Sequence, residues 1–411
     1  MRLFLLSLGF LILQFFCQAQ ERTLGYYLEK GAANSPYLQD LNNQLASNSI
    51  DSLLILAQQL PAISLNGNLY YAPVINQWGY SEAITNGGNF ITTLNVAQPL
   101  FTGKIRKTGF ERVGILNEAI ATSLKLAESE LQKLITEQYL AAYALQSDIG
   151  FYTEAYGYMQ EQDSLLRQLV EHGFYSQTEY LSFQVEKQYL DLDLAALQAQ
   201  FRKALGTLNI SCGITDKTEV TLAPPDIQLR NLSSGNSSPF FLRFTLDSLM
   251  IDNDRQQIDL QYRPTFGWLA DAGIVNNVPK EIYKNFGIGL GLNFTLPIYD
   301  GQQKQLNYRK VDFREESRKG YEAFFRNQFD EQLWQLSEEL RSSRDMIPKL
   351  NKQLELAAML IRQNRLLLNS GSLPMTDYLI SLRNYLTIRN NLRQNEVKIQ
   401  QIINEINYWK Q

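Results

Sequence analysis

Residues 286–296 read Phe-Gly-Ile-Gly-Leu-Gly-Leu-Asn-Phe-Thr-Leu, with a large apolar side chain at every second position and a small or polar one between. Strict alternation is the period of a β-strand, because successive side chains on an extended backbone point to opposite faces. Phe286, Ile288, Leu290, Leu292, Phe294 and Leu296 on one face, against Gly287, Gly289, Gly291, Asn293 and Thr295, fit a strand with hydrocarbon outside and water inside. Pro297 and Gly301 end the pattern, and a very long helical pattern begins beyond them.

The same device occurs earlier in the chain. Phe90, Thr92, Leu94 and Val96 alternate with Ile91, Thr93, Asn95 and Ala97, ahead of Pro99-Leu-Phe-Thr-Gly103 and a second long helical pattern. Pro297 follows Pro99 by 297 − 99 = 198 residues, and Gly301 follows Gly103 by the same interval. Another landmark keeps that offset. Gly173-Phe-Tyr-Ser-Gln-Thr178-Glu179-Tyr180-Leu181 matches Gly371-Ser-Leu-Pro-Met-Thr376-Asp377-Tyr378-Leu379. A single spacing at separate landmarks marks an internal duplication, so the 411 residues are expected to form one two-lobed unit.

In chain order, Arg2, the apolar run 3–16 and Cys17-Gln18-Ala19 read as a signal peptide over 1–19. Phe16 is a poor match to the small residue that lipid attachment at Cys17 requires. The first repeat is expected over 20–205: a helix, a β-hairpin at 61–99, a long helix, a turn at 173 and a return helix. An inter-repeat segment, 206–238, is rich in Thr, Pro, Ser, Gly and Asn. The second repeat follows over 239–411, with its hairpin at 264–297 and its turn at 371. Each hairpin is preceded by a helix that starts at a proline and stops at another, Pro36 to Pro61 and Pro239 to Pro264.

Two hairpins give four strands, too few to close a membrane barrel. Unpaired backbone groups in hydrocarbon cost several kcal/mol each, and small barrels need about eight strands. The strands must therefore be pooled between chains. After each hairpin the helical pattern runs for nearly seventy residues, on the order of 100 Å at the rise of an α-helix. Leu333, Leu340, Ile347, Leu354, Ile361 and Leu368 recur every seven residues, the spacing of a coiled-coil seam. Gly150 and Pro348 occupy equivalent positions, where a local bend or loosened turn is expected.

With Cys17 removed, Cys212 is the only cysteine and no intrachain disulfide can form. A net charge of −4 gives no basic excess for nucleic acid. Nothing in the chain supports catalysis: the one histidine, His172, lies beside a glycine turn without a Ser and acid around it, and no Walker loop or zinc spacing is present. No cofactor or metal is expected.

The order helix, strand, strand, long helix, glycine turn, return helix, twice over behind a signal peptide, resembles the TolC family of outer-membrane efflux proteins. Gln98-Pro99-Leu100-Phe101-Thr102-Gly103, Leu296-Pro297-Ile298-Tyr299-Asp300-Gly301 and the two glycine turns carry the match, which spans nearly all of the mature chain. The resemblance implies a mixed α and β membrane protein, a homotrimer forming a 12-stranded transmembrane β-barrel continued by a periplasmic α-helical coiled-coil barrel. It implies an exit duct in the outer membrane of a Gram-negative bacterium. Its partners would be outer-membrane lipid, a periplasmic adaptor (membrane fusion) protein and an inner-membrane pump of the RND, ABC or MFS type. A structural or adhesive coiled-coil protein anchored by the same pooled strands is the alternative.

In the family, acids near the turns line the periplasmic mouth. Carried over, Glu179 and Asp377 hold those positions, flanked by Thr178, Tyr180, Thr376 and Tyr378, with Gly173 and Gly371 as the adaptor-docking turns. A further family acid three residues on is Ile380 here. From the residues alone, Glu179 and Asp377 could equally be solvated acids in the first turn of a helix begun by Thr178 or Thr376, where the helix dipole favours negative charge. Tyr70, Tyr71, Trp78, Tyr80 and Trp268 read either as an interfacial girdle or as ordinary strand aromatics.

Overall fold

A computed structural model describes residues 21–73, 75–80, 88–216, 218, 220–230, 238–277 and 284–410; the expected signal peptide and parts of the hairpin loops and inter-repeat segment lie outside the described residues. The strands are β1 (Glu21–Arg22), β2 (Ala62–Tyr71), β3 (Gly88–Leu100), β4 (Thr221–Leu222), β5 (Thr265–Asn276) and β6 (Phe286–Thr295). The helices are α1 (Leu24–Asn34), α2 (Pro36–Ala57), α3 (Gly103–Glu171), α4 (Gln177–Ser211), α5 (Pro239–Gln261), α6 (Gln303–Asn369) and α7 (Met375–Trp409). Contacts divide the chain into two compact units, one of 1–39, 125–238 and 325–411, the other of 40–124 and 239–324.

The second unit holds an antiparallel four-stranded sheet in the order β2-β3-β5-β6. The two hairpins pair side by side, β3 against β5, with Thr93 opposite Gly273 and Asn95 opposite Asp271. Register sets the two faces. Ile63, Leu65, Leu69 and Tyr71 align with Phe90, Leu94 and Val96 on one face, and the second hairpin continues it with Phe266, Trp268, Ala270, Ile288, Leu290 and Leu292. Ser64, Asn66, Thr93, Asn95, Asp271 and the glycines of β6 form the other. The apolar face lies bare, Leu290 and Leu292 being 85% exposed. Pro99 falls inside β3, where it pairs with Gly267. Pairing with β2 stops at Ala97, so its missing N–H removes no ladder bond on that side.

Aromatic residues gather at both ends of the sheet. Tyr70 and Tyr80 have ring centroids 6.5 Å apart at the loop end. At the helix end Phe266 lies between Phe294 and Phe101, at 4.8 and 5.7 Å, while Trp268 Nε1 donates to Gln98 Oε1.

Below the sheet α5 is clamped by charge and by a small apolar core of Ile251, Ile258 and Val311. Asp254 accepts from Arg112 of α3 at 2.5 Å and from Arg314 of α6 at 2.6 Å. Asn253 Nδ2 donates to the Thr108 carbonyl beside them.

The first unit is helical; of the heptad positions Leu340 and Leu368 are buried and Leu333, Ile347, Leu354 and Ile361 half-buried, and Leu336 and Leu340 pack on Ile402, Ile403 and Ile406 of α7. Helices α3 and α6 run unbroken through Gly150 and Pro348.

Several elements here have no sequence-level expectation. The first return helix, α4, extends past residue 205 to Ser211, and the chain after it is tied down. β4 pairs in parallel with β1, so Glu21 and Arg22 clasp Thr221 and Leu222. Tyr139 Oη of α3 lies 2.6 Å from the Ala223 carbonyl and 3.0 Å from that of Arg22. Two helical turns further on, Gln146 brackets Leu222, donating to its carbonyl at 2.9 Å and accepting from its amide at 2.7 Å. Cys212 is buried against this clasp, and burial pushes its thiol up to about 11, leaving it protonated and inert.

Candidate functional site

Both helical hairpins of the first unit turn on a glycine. Gly173 and Gly371 have φ of +80° and +70°, a left-handed conformation that costs glycine nothing and other residues strain. Each sits just beyond its helix in a Schellman motif. Gly173 N bonds to Val170 O at 3.0 Å and Phe174 N to Leu169 O at 2.9 Å. Gly371 N bonds to Leu368 O at 3.1 Å and Ser372 N to Leu367 O at 2.9 Å. The duplication thus preserves the turn bond for bond.

The two copies differ where the return helix starts. Thr178 and Thr376, expected to begin these helices, lie exposed at the second helical position; the caps are Ser176 and Pro374. Ser176 and Glu179 form a capping box: Glu179 N donates to Ser176 Oγ at 3.2 Å, and Ser176 N donates to Glu179 Oε2 at 2.9 Å. Pro374 has no side-chain acceptor, so only its carbonyl meets Asp377 N, at 3.1 Å. Both acids occupy the third helical position, where a carboxylate favours the helix dipole. Glu179 is half-buried, whereas Asp377 is exposed.

Hydrogen bonding from the Ser176 backbone and hydroxyl holds the Glu179 carboxyl below the usual carboxylate range. A depressed folded value means stabilisation present above the ordinary pKa and lost as pH falls through the depressed one. Ser176→Ala is therefore expected to cost about 1 kcal/mol at neutral pH. The gap in melting temperature from the parent chain should narrow in acid; a gap independent of pH would mean that the box does not involve the carboxylate.

The tyrosines beside the acids point elsewhere than an open mouth. Tyr378 is 2% exposed and belongs to the core that joins the turns, with Phe183, Leu368, Met375 and Leu382. Tyr180 is half-buried, and its hydroxyl donates to Asp163 of α3 at 2.9 Å. Asp163 also accepts from Lys187 Nζ at 2.9 Å and from Gln184. Burial raises its carboxyl, but the bonds from Lys187 and Tyr180 outweigh that and keep it low, so this acid pins α3 to α4 in its charged form. His172 is exposed at the helix end.

Sequence reasoning missed Tyr175, the residue that ties one turn to the other. It is buried, and its hydroxyl lies 2.8 Å from the Leu368 carbonyl and 2.9 Å from that of Leu373. Its counterpart in the second turn is Leu373, and that break in the repeat was the available signal. Among the described residues no group of three or more His, Cys, Asp or Glu side chains could hold a metal ion. No helix is long and apolar enough to cross a membrane, again among the described residues.

No protein-family model and no curated protein matches the sequence. Solved structures do match. The outer-membrane channel OprN is similar over 94% of this chain and 89% of its own, at 14% identity and a TM-score of 0.75. CusC, described as forming a transmembrane channel, is similar over 95% and 92%, at 14% identity and a TM-score of 0.76. The Campylobacter jejuni outer-membrane channel CmeC aligns over 94% and 85%, at 13% identity and a TM-score of 0.74. The fold is that of the TolC-family outer-membrane channels. Within this TolC-like fold the glycine turns, the strand pairs and the long helices are the parts that the duplicated landmarks announced. Ser176, Tyr175 and Asp163 are the parts that had to be seen.

Proposed function

We propose that this chain is the outer-membrane exit duct of a tripartite efflux or type I secretion system in a Gram-negative bacterium, one protomer of a homotrimer. The observation that carries the reading is the four-stranded sheet: one face is apolar, the other small or polar, and neither β2 nor β6 has a partner along its outer edge among the described residues. Open edges are untenable in hydrocarbon, and pairing β6 of one chain with β2 of the next removes them. Three copies would give a 12-stranded barrel with its apolar face to lipid and its aromatic ends at the interfaces, continued by a periplasmic barrel of the long helices. The similar structures are outer-membrane channels, which favours conduction over adhesion.

Such a duct is passive. The chain has no energy-coupling motif, so an RND, ABC or MFS pump and a periplasmic adaptor would drive cargo through it, the adaptor docking at the turns of Gly173 and Gly371. Glu179 and Asp377, with Thr178 and Thr376, would line the mouth; Tyr180 and Tyr378 would support it from within, given their partners.

Purified protein in planar bilayers is expected to give discrete, cation-preferring conductance steps, because rings of acid favour cations. Glu179→Gln with Asp377→Asn should lower the cation preference while Gln keeps the capping geometry. Unchanged selectivity would leave the acids as helix caps alone. A trimer that never conducts would turn the reading to an adhesive or structural protein.

A further inference from the structure

The duplication lets the junction inside the chain forecast one outside it. Within the first unit, repeat one meets repeat two through ion pairs: Asp148 of α3 with Arg393 of α7, Glu186 of α4 with Arg383, and Glu161 of α3 with Arg365 of α6 at 3.4 Å. Arg383 Nε reaches Glu186 Oε1 at 2.7 Å, and Leu379 beside it is buried. Shifting these positions by 198 residues gives the faces that each repeat turns away from its sibling. Leu379, Arg383, Thr387 and Asn390 of α7 become Leu181, Val185, Tyr189 and Leu192 of α4; Asp148 and Glu161 of α3 become Met346 and Met359 of α6.

Those faces are bare. Leu181, Val185, Tyr189 and Leu192 are 55, 52, 56 and 60% exposed, and their spacing of four, four and three puts them in one stripe. On α6, Leu356, Met359, Leu360 and Leu366 form a second exposed stripe. Both end close to a glycine turn. The α4 stripe starts four residues after Gln177 and the α6 stripe stops three before Asn369; each then covers about 15 Å of helix. The helices run in opposite senses from the turns, so the stripes match in level when laid antiparallel. Exposed Asp191 and Asp193 border the first stripe, while exposed Lys349, Lys352 and Arg362 border the second.

We propose that the α4 stripe of one chain seats on the α6 stripe of a second copy, so that the joint between copies is apolar at the positions where the joint within each chain carries ion pairs. The occupant follows from the repeat: inside the chain the counterpart of each bare face meets the other repeat, through the ion pairs of Asp148, Glu161 and Glu186. A stripe-to-different-stripe contact is heterologous, the kind that forms a ring of copies when its rotation closes. The proposal rests on the reading of the chain as part of a multi-chain duct, and adds which surfaces join.

The full mature chain carrying Val185→Cys and Met359→Cys, oxidised in native membranes, tests it. Both sites are exposed, and Cys212 is buried and inert. The expected product is a ladder of linked chains ending in a closed ring, with neither single variant linking beyond a pair. Val185→Arg should lower the oligomer fraction by about tenfold or more, as a charge at the dry centre of a contact does. A link within one chain, or a native oligomer that conducts but does not link, overturns the seam and leaves the duct standing. A protein that is monomeric in the membrane overturns both.

Discussion

Gly273→Val is expected to leave the full-length chain without its sheet, the largest single-residue effect the structure contains. Gly273 stands opposite Thr93 on β3 and Gly287 on β6, within the junction between the two hairpins. A Cβ there would fall on the Thr92 carbonyl oxygen and within 2.6 Å of Thr93 Cα. These are backbone atoms held in the β2–β3 ladder, so they cannot swing aside as a side-chain tip would. The hairpins must part, and the loss should exceed about 4 kcal/mol, the range reserved for failures of this kind. Gly287→Val is the control, since a Cβ at Gly287 meets nothing within 4 Å. Protease resistance and heat-dependent gel mobility of the membrane-extracted protein would read the difference. Native behaviour of the Gly273 variant would mean that β3 and β5 are not neighbours.

That contrast also marks how far the sequence speaks. Alternation in β2, β3, β5 and β6 was legible because one face of each strand is apolar and the other is not, and the glycine turns were legible because only glycine takes their backbone angles cheaply. Gly273 was not: alternation records that a position is small, not that a neighbouring strand presses against it. The clasp of β1 on β4 was hidden for another reason. Two-residue strands have no period, and what holds them, Tyr139 and Gln146, sits more than seventy residues away on a helix whose pattern is otherwise unremarkable. At the turns, the Thr-acid pairs drew attention to the wrong cap. Ser176 with Glu179 three residues on is the capping-box spacing, and Pro374 removes that box from the second copy. The two acids therefore share a position while differing in partners, so a ring built from both would mix a tethered carboxylate with a free-swinging one.

Asp148→Leu is expected to destabilise the helical unit by about 3 kcal/mol, and the same change combined with Arg393→Met to restore most of the loss. The pair joins α3 to α7 with 13 and 16% of the two side chains exposed, so each charge has given up most of its water. Burial pushes the Asp148 carboxyl up, and the attraction and hydrogen bond of Arg393 only partly offset it. Removing the acid alone strands a guanidinium in that setting, with Asn390 Oδ1, 3.0 Å from Nη2, as a remaining neutral partner. Removing both charges takes away the desolvation cost with the attraction. The positions 198 residues away, Met346 in the second repeat and Ala195 in the first, carry no charge. Thermal unfolding of the parent, the two single variants and the double closes the cycle. Recovery in the double would mean that the charges add little net stability and set the register of α7 on α3. Equal loss in the double and in Asp148→Leu would make the pair a true source of stability and sink that account.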